Sequence, residues 1–208
     1  MRLIDTHSHL FLEEFSEDFP QVIERARAAG VTHIFMPNID STTIEAMLSA
    51  CSVYKGYCFP MIGLHPTSVN DNYEKELEIV ARELKFSKEY VAIGEIGMDL
   101  YWDKTYLKEQ QIVLDKQVNW ALEYDLPIVI HCRDAFDYIY KVLEPYKKTP
   151  LRGIFHSFTG TAEEATRVLE FSDFFIGING VVTFKKSHLP EILAGIPLEK
   201  IVLETDSP

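Results

Sequence analysis

Four histidines, one glutamate and one aspartate stand at or just past the ends of apolar runs, in the stretches IDTHSH, AIGE, IVIH, GIFH and IVLETD. They are His7, His9, Glu95, His131, His156 and Asp206. Imidazole and carboxylate are the side chains that hold divalent cations, and a mixed set of them suits zinc, manganese or a similar ion. Nitrogen ligands make a pure magnesium site less natural. His7 and His9 are two residues apart, so a strand sends both to one side, and Asp5 shares their parity. Glu95 lies between Gly94 and Gly97, where crowded backbone would let one carboxylate approach two cations. His131 and His156 each close an apolar run, IVIH and GIFH. A lone histidine in such a place is usually a satisfied core residue, and a lone aspartate a helix cap. Six metal-type residues at equivalent positions weaken those separate explanations.

For residues spread from 7 to 206 to meet, the elements carrying them must converge. Eight apolar, β-rich runs recur: Leu3–Ile4, His33–Met36, Phe59–Leu64, Val91–Ile93, Pro127–Ile130, Gly153–Phe155, Phe174–Ile178 and Ile201–Leu203. Short continuous apolar runs suit parallel strands covered on both faces. Between them lie helical patterns. Ser16 is expected to cap a helix whose Val22, Ile23 and Ala26 share a face and which ends at Gly30. Tyr73, Leu77, Val80 and Leu84 follow the helical period, as do Leu107, Leu114, Val118 and Ala121. Thr161 and Glu164 have capping-box spacing. Alternation of strand and helix predicts an α/β fold, a TIM (β/α)8 barrel forming one domain over residues 1–208. An open doubly wound sheet is the alternative, but closure is what would bring the first and eighth strands together. The chain stops after the eighth run, so the final helix is expected to be missing, apolar surface exposed beside strands 8 and 1, and the chain to be a fragment.

The bulk composition narrows the partners. The net charge of −12 argues against a broad basic surface for nucleic acid, although bound cations would reverse the sign locally. Lys147–Lys148 and Lys185–Lys186 read as solvated basic pairs. No secretory leader or membrane span is expected, and Cys51, Cys58 and Cys132 lack metal or disulfide spacing, which points to a reduced cytoplasmic protein. Cys132 reads as a buried filler. No obligatory protein partner is evident.

The blocks DTHSHL, GLHP, GEIGMD, HCRDA, HSFTG and ETDSP occur in an order that resembles the TatD-type metal-dependent hydrolases of the amidohydrolase superfamily. The resemblance runs from end to end. It implies a TIM barrel with two divalent metal ions (zinc, manganese or magnesium) and deoxyribonuclease activity. By carry-over, His7, His9 and Asp206 would hold one ion and His131 and His156 the other, with Glu95 between them. Two cations would activate a water against a phosphodiester, with Asp206 as general base and Glu95 as shared ligand. His65 is expected at the phosphate or leaving group, Arg133 at a phosphate, and Asp99, Tyr101 and Trp102 at the substrate, the aromatics stacking on a base. The acidic charge favours exonuclease-like action on a strand end of DNA, with RNA as a second candidate substrate. The rivals are a small-molecule amidohydrolase or lactonase on the same scaffold, and a non-catalytic protein with a structural metal.

Overall fold

The computed structural model describes all 208 residues. Eight strands alternate with seven helices: β1 (Leu3–Asp5), α1 (Phe19–Ala28), β2 (Val31–Pro37), α2 (Ile44–Val53), β3 (Cys58–Met61), α3 (Tyr73–Phe86), β4 (Ile93–Asp99), α4 (Leu107–Tyr124), β5 (Ile128–Arg133), α5 (Phe136–Leu143), β6 (Gly153–Phe155), α6 (Ala162–Val168), β7 (Phe174–Ile178), α7 (Leu189–Leu193) and β8 (Ile201–Leu203). Neighbours pair in parallel from β1 to β3 and from β4 to β8. Two seams complete the ring. At the first, Val91 N–H donates to Pro60 O (3.0 Å), Ile62 N–H to Ala92 O (3.2 Å) and Gly94 N–H to Ile62 O (2.9 Å). At the second, Thr6 N–H donates to Leu203 O (3.1 Å) and Asp206 N–H to His7 O (2.9 Å). The sheet is therefore a closed parallel barrel, and the ends of β1 and β8 are neighbours.

The helices form where apolar periodicity lets them cover the barrel. Leu77, Val80 and Leu84 are the buried stripe of α3, and Val113, Leu114, Val118 and Ala121 that of α4. The Thr161–Glu164 capping box starts α6. A main core of 38 buried residues joins strands to helices, with Phe155 and Phe174 among its largest members. Each such side chain contributes on the order of 2–3 kcal/mol of burial. Beside the second seam, Ile4 and Leu203 are 47% and 55% exposed, the apolar surface expected there.

Several boundaries differ from the sequence expectation: β3 ends at Met61 and not at Leu64, and β5 runs on to Arg133, so His131 lies inside it. Helix α1 begins after Asp18, not at Ser16, because Pro20 with its fixed φ sits in the first turn; neither residue makes a side-chain cap there. Strand β4 does not stop at Ile93 but runs to Asp99, so Glu95 lies inside it. Two glycines and a buried carboxylate hide the strand from a reading based on apolar residues.

Gly97 marks the tightest approach in the barrel. Its φ is +143°, and a Cβ there would stand 2.0 Å from His131 O. Only glycine lets β4 lie this close to the β5 histidine. Gly97→Ala is expected to lower the unfolding free energy by at least about 2 kcal/mol. Urea denaturation in the presence of chelator measures it, and a loss under about 0.5 kcal/mol contradicts the close-approach account.

Candidate metal centre

The strand ends deliver five imidazoles to a single carboxylate. Glu95 projects from within β4 and is 3% exposed. Its Oε2 lies 3.0 Å from His7 Nε2 and 3.4 Å from His9 Nε2. Its Oε1 lies 2.6 Å from His156 Nε2, 2.8 Å from His131 Nδ1 and 3.2 Å from His65 Nε2. The two oxygens thus face two different sets of nitrogens. Asp206 Oδ1 is 3.8 Å from His7 Nε2, and the His7 and His156 rings stack at 3.8 Å. Three groups have ligand atoms close enough to hold an ion: His7, His9 and Glu95; His7, His156 and Asp206; His65, Glu95 and His131. All six residues expected as ligands are therefore brought together, and His65 joins them.

Hydrogen bonds on the far ring nitrogens distinguish His65 from His131. Thr67 N–H donates to His65 Nδ1 at 3.2 Å, within a short helical turn over Pro66–Ser68. Nδ1 is then an acceptor, so the proton of the neutral ring sits on Nε2 and points at Glu95. His131 is arranged the other way. Its Nε2 donates to Asp99 Oδ2 at 3.0 Å, which leaves the Nδ1 lone pair of the neutral ring facing Glu95. His65 is built to donate at the centre and His131 to ligate. A carboxylate behind a histidine is the common arrangement for orienting a metal ligand. Asp99, expected at the substrate, instead stands buried behind His131 and accepts from Tyr101 N–H at 3.0 Å.

Residues outside the ligand set fix these backbones, and of them only Asp5 and Glu204, which share strand parity with His7 and Asp206, carry a sequence signal. Gln117 of α4 accepts from Leu64 N–H (2.7 Å) and donates to Leu64 O (3.3 Å), clipping the segment before His65. Gln110, two turns earlier, does the same at Asp99 N–H (3.0 Å) and O (3.2 Å). Asn38 bonds Gly63 through N–H and O at 2.8 and 3.0 Å. Behind the second seam, Asp5 accepts from His7 N–H (3.3 Å), Thr205 N–H (2.9 Å) and the Thr205 hydroxyl (2.7 Å). Glu204 accepts from Ser157 N–H and lies 3.8 Å from His156 Nδ1. Buried glutamines are ordinary polar residues until their partners are known, which is why helical periodicity alone passes over them.

The donor set fits divalent cations. Three ring nitrogens, His7 Nδ1, His9 Nδ1 and His156 Nδ1, are buried with no hydrogen-bond partner. Each ring turns its other nitrogen toward Glu95 instead, the orientation a ligand needs. The centre opens into a cleft of about 450 Å³ lined by His9, His65, Glu95, His131, Arg133 and Asp206, among others. Cys132 packs against the main core as expected of a filler and is only partly buried, contributing to the cleft wall; burial pushes its pKa up to about 12, which keeps it a neutral thiol. Arg133 forms no ion pair and stacks on Tyr101, its Cζ 3.9 Å from the ring centre and 5.3 Å from that of Trp102. Tyr101 and Trp102 are 52% and 73% exposed.

Charge is unevenly shared among the rings. Burial opposes ionisation of Glu95, but His156, His65 and His7 together hold its carboxyl well below the usual range. Burial and the neighbouring His156 push His7 down to about 4. His156, despite the same burial, is raised to about 9 by Glu95. Without ions, Glu95 contributes stability that is complete above its ordinary value and lost as pH falls through the depressed one. His7 remains neutral in the fold while the unfolded chain takes its proton, so stability also falls from about 6.5 towards about 4. His156 contributes stability that is complete below about 6.5 and lost as pH rises to about 9. An ion must displace the His156 proton. Its apparent affinity is expected to rise about tenfold per pH unit between 6.5 and 9. Calorimetric titration with Zn²⁺ or Mn²⁺ measures this, and a flat affinity across that window contradicts the charge assigned to His156.

Comparison with known proteins places the chain in a family. A family model described as TatD related DNase matches residues 4–208. An uncharacterized metal-dependent hydrolase, YabD of Bacillus subtilis, is 37% identical over 99% of this chain and 80% of its own. The protein named 3'-5' ssDNA/RNA exonuclease TatD of Pantoea ananatis is 32% identical, over 99% of this chain and 79% of its own. The crystal structure of the TatD homologue YjjV of Escherichia coli superposes with a TM-score of 0.90 at 31% identity, covering 99% of this chain and 79% of that one. With a matching family model over nearly its whole length, the chain belongs to the TatD related DNases, a family of metal-dependent hydrolases.

Proposed function

We propose that this enzyme hydrolyses phosphodiester bonds at an end of single-stranded DNA or RNA, using two divalent cations that share Glu95. The observation carrying this reading is the division of Glu95, one oxygen toward His7 and His9 and the other toward His131 and His156. His7, His9 and Asp206 would hold one ion, and His131 and His156 the other. Cations held there would neutralise a phosphate oxygen and make a nearby water more acidic. A carboxylate whose two oxygens face separate sets of nitrogens, together with an open cleft, suits substrate turnover better than a closed structural zinc site.

The protein's own groups account for the rest. Asp206 is 29% exposed at the cleft, close enough to the centre to orient an attacking water and accept its proton. The water oxygen adds to phosphorus, the bond from phosphorus to the sugar oxygen breaks, and that oxygen takes up a proton, returned by Asp206 or drawn from solvent. His65, with its proton on Nε2, donates to a phosphate oxygen or to the departing oxygen. Arg133 is held in place by aromatic contact and not by a carboxylate, so its donors remain free for phosphate. The exposed faces of Tyr101 and Trp102 beside it suit stacking on a terminal base, which tolerates any sequence. This placement concentrates positive charge at the cleft in a chain whose net charge is −12. The name of the Pantoea relative supports both nucleic acids as substrates.

A panel of single-stranded oligonucleotides, lactones, esters and amides tests the substrate class. Cleavage of the oligonucleotides, abolished by chelator and restored by Mn²⁺ or Zn²⁺, is expected. Metal-dependent turnover of a carbonyl substrate with none of DNA or RNA would overturn the reading. Asp206→Asn should lower kcat by about 100-fold or more while stability changes by less than about 1 kcal/mol. Glu95→Ala should lose activity and paired-ion occupancy together, read by elemental analysis. Wild-type turnover in either variant contradicts its role.

A further inference from the structure

The metal cleft is one of three adjoining cavities, and Thr159, exposed on the loop after β6, lines all of them. The cavity farther toward β7 measures about 450 Å³, and Lys186, Ser187 and His188 form part of its wall. This loop carries Phe184, Lys185, Lys186, Ser187 and His188 in succession, with no acidic residue among them. His188 approaches Glu191 at 3.9 Å, but neither Lys185 nor Lys186 pairs with a carboxylate. Phe184 is 64% exposed. In a chain of net charge −12, Lys186 thus stands in the wall of a groove that meets the metal cleft at Thr159, and the unpaired Lys185 and the exposed Phe184 precede it directly in the chain. Sequence alone reads Lys185–Lys186 as a solvated pair; the place of Lys186 in the wall of that groove is what the fold adds.

We infer that this groove binds the single strand retained after cleavage, with Lys185 and Lys186 on its backbone phosphates and Phe184 stacked on a base. The inference rests on the nuclease reading of the metal centre. Its chemistry is that of sequence-tolerant single-strand binding, cations tracking the backbone and an aromatic ring meeting a base face. The two sides of the cleft then have separate tasks. Arg133, Tyr101 and Trp102 receive the terminal nucleotide, and the loop after β7 receives the strand that remains. Because Lys185 and Lys186 lie outside the metal cleft, their contribution depends on substrate length.

The test compares wild type with the double variant K185Q/K186Q and with Phe184→Ala on two substrates. One is bis(p-nitrophenyl) phosphate, which fills only the metal cleft. The other is a fluorescent single-stranded decathymidylate. For the double variant, turnover of the small ester is expected within twofold of wild type, while kcat/KM on the decamer falls roughly tenfold at low salt. The dependence of log kcat/KM on log salt should become shallower by about 0.7 for each phosphate that is no longer neutralised. Phe184→Ala should weaken decamer binding roughly tenfold with the salt slope unchanged. Wild-type salt slope and decamer efficiency in K185Q/K186Q, with both substrates turned over, would overturn the groove and leave the nuclease reading standing. Failure of the wild-type protein to cleave either phosphodiester in the presence of metal would overturn both.

Discussion

The constraint on which this barrel turns is an ionised carboxylate with almost no access to water. Glu95 sits inside β4, 3% exposed, and taking such a group out of water costs several kcal/mol unless positive charge meets it. Five imidazoles meet it, and they arrive from the segment after β1, from the segment after β3, from β5 and from the segment after β6. Strand order, closure and the glycine that draws β4 onto β5 can all be understood as means of gathering those rings. Divalent ions would supply the missing charge more completely than protonated histidine, since His7 and His156 cannot both be cationic when stacked at 3.8 Å. The divergent shifts of the two rings, one down to about 4 and one up to about 9, express that conflict.

A second layer of polar groups converts this collection into an ordered site. Asp5 fixes the backbone of His7 and of Thr205, so one buried carboxylate ties both ends of the β8–β1 seam. Gln110 and Gln117 project from one face of α4 and clip the ends of β4 and the segment after β3. Thr67 and Asp99 then choose which nitrogen each neighbouring ring turns inward. Each bond is modest, typically about 1 kcal/mol net, but their joint effect is to choose tautomers and not only to add stability. A donor and a ligand of identical residue type stand side by side because their outer nitrogens meet different partners.

What was legible in the sequence follows from which physics is local. Continuous apolar runs marked every strand, because burial on both faces demands them, and the Thr161–Glu164 spacing marked the start of α6. The six metal-type residues stood out because each ended such a run. The extent of β4 was hidden, since its functional content is glycine and glutamate. The placement of Asp99 was missed because it depends on a side chain turning inward to His131, which no residue spacing reveals. Gln110 and Gln117 carried no signal, since a buried glutamine and a solvated one look alike in a helix. Cys132 packs against the main core as a filler would, but it is only partly buried and contributes to the wall of the cleft.

The most direct test of a carboxylate shared between two ions is a crystal structure of the Mn²⁺- or Zn²⁺-loaded protein with anomalous scattering at the metal edge. Two peaks about 3.5–4 Å apart, each within bonding distance of a different Glu95 oxygen, are the expected result. A single ion, or two ions of which only one touches Glu95, would contradict the account.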